Sequence, residues 1–222
     1  MANKTVQFLW DASHRFRERI QLDKIANQLK SDKLEDRCDS VIFSVYHLLV
    51  SGAIAEENIA AYLTGAEFPP EARAKADSVD NLATKEAWRG SSFENATNII
   101  GALAFMVVLL FFLEGFCKLV VGEDRIRKDL ERTRMVGLAA VLRWLNANSQ
   151  IDPGKLRTVE FLSSYRNAWH SFGFYGGKPI ACKGIELRSG ERLPVIQPQQ
   201  RLELLADLFD VFLAIDDLRA QQ

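Results

Sequence analysis

The sequence predicts an all-α fold: a helical bundle with long antiparallel helices and a small β-hairpin insertion near the C-terminus. Three observations predict it. Apolar residues recur at the helical period through most of the 222 residues. Glycine, proline and asparagine clusters fall between those segments and rarely inside them. Only residues 179–195 alternate in the manner of strands. Nothing along the chain marks a repeat, a low-complexity tract or a domain boundary, so residues 1–222 read as a single helical domain carrying the 179–195 hairpin. At 48% hydrophobic and 26% charged, with a formal net charge of −1, the composition is that of an ordinary soluble domain with no global footprint for nucleic acid or an anionic membrane.

The elements follow from local signals. A first helix is expected over Thr5–Lys30, with Phe8, Phe16, Ile20 and Leu29 on its apolar side. A second runs from Leu34 to Leu63 through Cys38, Ile42, Val45, Leu49, Ile59 and Leu63, stopped by Gly65 and Phe68-Pro69-Pro70. Residues 69–90 are polar and charged and read as a connection or a short helix. The third and longest helix is expected from Ser92, a candidate N-cap, to Val121. It contains an unbroken apolar run, Ile99–Leu113, followed by Glu114 and Lys118 at the helix-supporting i,i+4 spacing. That run is shorter than the roughly 20 residues a membrane span needs. The reading is therefore a buried core or dimer-interface helix without a membrane, membrane association of residues 95–121 being the alternative. A fourth helix is expected over Arg125–Ala147. Asp152-Pro153 opens the next, as cap and first-turn residue, and Gly173, Gly176 and Gly177 end it. The hairpin is expected to turn at Ser189-Gly190, between Lys183–Leu187 and Arg192–Val195. A last amphipathic helix spans Pro198–Leu218, with Leu202, Leu205, Leu208, Phe212 and Ile215 inward.

The chemistry-bearing stretch is Arg166-Asn167-Ala168-Trp169-His170. On a helical projection Phe161, Leu162, Tyr165, Ala168, Trp169 and Phe172 form one apolar stripe. Arg166, Asn167 and His170 fall on the opposite face, Arg166 and His170 one turn apart. Metal-free RNA cleavage needs a base for the 2′-hydroxyl proton and an acid for the leaving 5′-oxygen. Histidine suits either role because its ordinary pKa of about 6.5 lies near working pH. A planar guanidinium can hold the charge that develops on the phosphoryl oxygens. The bland alternative is a set of cations favouring a helix C-terminus.

Arg-Asn followed shortly by His, late on a helix of an all-α bundle, resembles the signature of the HEPN superfamily. That resemblance implies a dimeric, metal-independent endoribonuclease of a prokaryotic defence or toxin–antitoxin system, leaving 2′,3′-cyclic phosphate and 5′-hydroxyl ends. It implies that Arg166 and His170 are catalytic, that Asn167 contacts or orients the phosphate, and that a second protomer completes the site. RNA, a second copy of the chain and an antitoxin or other defence-system protein are the implied partners, with no cofactor and no metal. Family members usually place about four to six residues between Arg and His. Here three intervene, which keeps the pair on one helical face. Phe172 stands where adenylylated members carry a tyrosine. The alternative is a non-catalytic HEPN-like helical module that binds a partner protein or nucleic acid.

Other candidates read as structural. The three cysteines, Cys38, Cys117 and Cys182, are dispersed and odd in number, and the three histidines show no zinc spacing. With a charged N-terminal stretch lacking the apolar run of a signal peptide, they point to a reducing, cytoplasmic setting. His14 reads as a solvated helix surface and His47 as a core residue. Arg125, Arg127, Lys128, Arg132, Arg134 and Arg143 interleave with acids. Internal pairing is expected for them, with contact to an RNA backbone as the alternative. Asp216-Asp217 reads as surface.

Overall fold

In the computed structural model, residues 4–20, 33–63, 102–131, 136–169, 171 and 173–219 are described. They form α1 (Lys4–Arg17), α2 (Leu34–Leu63), α3 (Ala102–Cys117) and a π-helical turn (Lys118–Gly122). Then come α4 (Glu123–Asp129), α5 (Leu138–Asn148), α6 (Pro153–Trp169), β1 (Ile180–Cys182), β2 (Ile185–Leu187) and α7 (Pro198–Arg219). The chain is mostly helical with one two-stranded antiparallel hairpin.

The core gathers around α7. Phe212 lies between Phe16 of α1 and Phe116 of α3, with ring centroids 6.0 and 6.2 Å away, and Phe209 meets Phe8 and Phe16 at 5.9 Å. Aromatic pairs at this spacing add to the burial of their own area. Cys38, Ile42, Val45 and Leu49 of α2 are buried as their helical spacing requires; the side chains of Ile59 and Leu63 lie outside the described set. Polar links fix the register. Thr158 Oγ1 donates to Asp207 Oδ2 at 2.6 Å, and Lys155 Nζ to Asp210 Oδ2 at 2.8 Å. Two links three residues apart on each helix, running in opposite senses, make α6 and α7 antiparallel neighbours. Arg15 of α1 reaches the other oxygen of Asp210 at 2.6 Å.

Several expectations are corrected. α1 ends at Arg17. The chain tightens through Arg19 N–H to Phe16 O and Ile20 N–H to Arg17 O, burying Ile20 while Arg19 pairs with Asp216 and Asp217. Residues 21–30, including Leu29, lie outside the described residues, as do 64–101 with the proposed Ser92 cap. Asp216 is not on the surface. It is 4% exposed, between Arg19 and Arg219, and Arg219 also pairs with Asp39 of α2 at 2.6 Å. Burial pushes the Asp216 carboxyl above the usual range despite both arginines.

The predicted fourth helix is two, α4 and α5. Glu131 adopts φ +49°, which no helix continues, and α5 restarts where Leu138 N–H donates to Glu114 Oε2 at 3.0 Å. The other Glu114 oxygen holds Lys118, the pair expected from spacing. The hairpin also turns elsewhere: Ile180 pairs with Leu187 and Cys182 with Ile185 across Lys183-Gly184. Both turn residues have positive φ, the two-residue form that matches strand twist. Lys183 tolerates this while its Nζ pairs with Asp207 at 3.0 Å and its carbonyl accepts from Gln200. The Ser189-Gly190 turn instead meets the segment that follows α6, where Gly190 N–H donates to Tyr175 O at 2.7 Å. His47, expected in the core, is exposed, with its ring edge-on to Phe43 at 4.3 Å.

α3 buries Met106, Leu109, Leu110, Leu113 and Phe116 on one side and exposes Val108 and Phe111 on the other. The continuous stretch Phe105–Asp129 is one helix long and apolar enough to cross a membrane by length and composition.

Phe212→Ala is expected to cost about 3–5 kcal/mol, read by urea unfolding, because it opens a cavity where α1, α3 and α7 meet. Half-burial alone would raise the Asp210 pKa, but hydrogen bonds from Lys155 and Arg15 outweigh it and hold the group below the usual carboxylate range. With the folded pKa the lower one, this stabilisation is complete above pH of about 4 and fades as pH falls through the folded value. Asp210→Asn should therefore lower Tm at pH 7 by about 2–4 °C and lose that deficit below pH of about 4, in paired melts of mutant and wild type.

Candidate functional site at the end of α6

α6 begins as the sequence predicts: Pro153 is its first residue and the Asp152 carboxylate accepts from Gly154 N–H at 2.8 Å. Leu156, Val159, Phe161, Leu162, Tyr165 and Ala168 are buried, so the helix can be rotated only one way. That rotation puts Asn167 in solvent and Arg166 at the margin. Trp169 departs from the predicted stripe: it is 41% exposed. The core ends one residue earlier because the helix stops at Trp169 and the chain bends away at Gly173, whose φ of +80° lets its N–H return to Ala168 O at 3.1 Å. The returning chain is fastened on the buried side, where Tyr165 Oη donates to Pro194 O at 3.0 Å and Leu193 N–H to Gly173 O at 2.8 Å.

Arg166 and Asn167 are brought together. Arg166 Nε and Nη2 both donate to Asn167 Oδ1, at 3.1 and 3.0 Å, and Nη1 is buried with no hydrogen-bond partner among the described residues. The guanidinium lies over the ring of Phe111 from α3, 5.3 Å from its centroid, while Phe111 is 62% exposed. Arg15, Arg19, Arg127, Arg157, Arg188 and Arg219 each hold a carboxylate. Arg166 has none among the described residues. It is thus a fixed cation with an unengaged donor, held by an amide and a ring, an arrangement suited to an anionic ligand. His170 and Phe172 lie outside the described residues. Phe111 was legible only as part of the apolar run of α3, since nothing local to either helix announces its contact with Arg166.

The remaining candidates separate clearly. His14 is exposed on α1. Arg125 lies 3.9 Å from Asp129 and over Trp144, and Arg127 pairs with Glu123 and Asp124; Arg132 and Arg134 lie outside the described residues. Among the described residues Arg143 donates only to Ala139 O of its own helix, at 3.3 Å. Burial raises the Cys38 thiol and pushes Cys117 up to about 12, so neither is a thiolate nucleophile at neutral pH. Among the described residues no three His, Cys, Asp or Glu side chains gather as a metal-ligand set.

A buried donor without a partner weakens a fold, so a purely structural Arg166 would be a poor choice. Arg166→Ala and Asn167→Ala are expected to leave Tm within about 2 °C of wild type. A fall above about 5 °C in either variant would assign the pair a structural role. Comparison with known proteins finds no matching family model, no matching curated protein and no matching solved structure.

Proposed function

We propose that the chain is a HEPN-like, metal-independent endoribonuclease of a prokaryotic defence or toxin–antitoxin-type system, acting in the cytoplasm as a homodimer. The observation that carries this reading is the state of Arg166: a cation with no carboxylate and a buried unengaged donor among the described residues, at the end of a helix whose buried face packs on the core. In the proposed reaction Arg166 binds the scissile phosphate and stabilises the charge that builds on its non-bridging oxygens. Asn167 holds the guanidinium in plane through its carbonyl oxygen and offers its amide N–H groups to the phosphate. His170 removes the 2′-hydroxyl proton; the 2′-oxygen then attacks phosphorus and the 5′-oxygen leaves with a proton from an acid. A single imidazole cannot be base and acid in the same step, so the second protomer supplies its own His170. The products are a 2′,3′-cyclic phosphate and a 5′-hydroxyl.

A second reading, a non-catalytic module that binds a partner protein or nucleic acid, draws on one observation. Val108 and Phe111 expose an apolar edge of α3 beside Arg166, as a docking face does. The two readings differ in a single assay. Purified protein is incubated with RNA in EDTA, beside Arg166→Ala and His170→Ala. The nuclease reading expects cleavage by wild type and a loss of about a hundredfold or more in each variant. Cleavage that survives in both variants, or that requires added metal, rules it out.

A further inference from the structure

A groove of about 530 Å³, floored in part by Ala139, Leu142 and Leu156, runs between α5 and α6 and ends at Asn167. Its two walls are helix stripes. On α6, Arg157, Glu160, Ser163, Ser164 and Asn167 recur at three- and four-residue steps; on α5, Arg143 and Asn146 face them. The polar groups on these walls are one-sided. The only acid among the lining residues, Glu160, is held by Arg157 at 2.8 Å. The Arg143 guanidinium meets a single helix carbonyl and no carboxylate among the described residues. The Ser163 and Ser164 hydroxyls and the Asn146 amide have no hydrogen-bond partner there, and the Asn167 amide nitrogen is unengaged because only its oxygen receives Arg166. The groove therefore offers donors and one unpaired cation to a ligand with many oxygen acceptors and negative charge. From Arg157 to Asn167 it extends about 15 Å along the helix axis. A volume of about 530 Å³ spread over that length leaves a channel one strand wide and too narrow for a duplex.

We propose that this groove is the track of an unpaired RNA strand, with Arg143 on a backbone phosphate away from the scissile bond. The proposal rests on the ribonuclease reading for what happens at Arg166, and adds the substrate form and a binding residue. Arg143 contributes affinity without sequence preference and takes no part in bond breaking.

The test uses the full chain and a fluorescein-labelled oligouridylate, with anisotropy measured between about 50 and about 200 mM KCl. In an Arg166→Ala background, adding Arg143→Ala should weaken binding severalfold and flatten the slope of log affinity against log salt by about 0.7, the value for one lost phosphate contact on a single strand. Arg143→Lys should restore the slope, and Lys4→Ala, at an exposed position of α1, should change nothing. With an active wild-type site, Arg143→Ala should raise KM and leave kcat unchanged. An unchanged slope and KM in Arg143→Ala overturn the groove, and if Arg166→Ala still abolishes cleavage the nuclease reading stands alone. If the chain cleaves no RNA but Arg143→Ala still flattens the slope, the groove stands and the nuclease reading falls. A duplex bound as tightly as the single strand, or no RNA bound at low salt, overturns the proposal.

Discussion

The register of α6 against α7 is the constraint on which the rest depends. Thr158 to Asp207 and Lys155 to Asp210 are links between two helices whose facing sides are already apolar, so they choose among rotations that hydrophobic burial alone would leave close in energy. Asp207 also receives Lys183 from the hairpin turn, and Asp210 also receives Arg15 from α1. One helix face thus sets the positions of α1, α6 and the hairpin together. The Arg19, Asp216, Arg219 and Asp39 cluster does the same for the far end of α7 and for α2. Arg219 Nη2 lies 3.0 Å from Asp216 Oδ1 without forming a hydrogen bond to it, so charge attraction holds that pair.

The chemical consequence is a division of labour along one helix. The buried positions of α6 serve the core, and most of the positions left over are polar, facing α5, Asp210 of α7 or solvent, with Trp169 the apolar exception. At the final turn the core runs out, and Arg166 is held by contacts that require no opposite charge: the Asn167 oxygen and the Phe111 ring. A cation held in this way keeps its field for a ligand, because no carboxylate among the described residues neutralises it in advance. The α5–α6 groove continues the same logic with unengaged hydroxyls, amides and Arg143.

What was legible in the sequence divides along physical lines. The bounds of α2 and the start of α6 could be read because their period and caps are local. The outward placement of Asn167 followed from the same period, whereas Arg166 is only partly exposed because its guanidinium lies over Phe111 of α3. The end of α1 could not be read: Arg19 answers to Asp216 and Asp217, nearly 200 residues away in sequence. The break between α4 and α5 depends on Glu114, contributed from α3. The hairpin turned at Lys183-Gly184, where a lysine adopts positive φ beside a remote aspartate, a preference that no local scale assigns to lysine. Trp169 looked apolar by residue type but sits just past the last packed position, and His47 looked buried by its neighbours but points outward on α2. Each miss is a case in which a partner distant in sequence, or the edge of the core, decided what local pattern could not.

The central claim is that the end of α6 drives attack of a 2′-hydroxyl on the adjacent phosphate using only protein groups. Analysis of product ends tests this directly: RNA cleaved by the purified protein is treated with polynucleotide kinase and cyclic-phosphate-specific ligase, then sequenced from each end. The account predicts 2′,3′-cyclic phosphates paired with 5′-hydroxyls at every cut. Products with 3′-hydroxyl and 5′-phosphate ends would contradict it, since those require a water or hydroxide nucleophile that Arg166, Asn167 and His170 have no part in delivering.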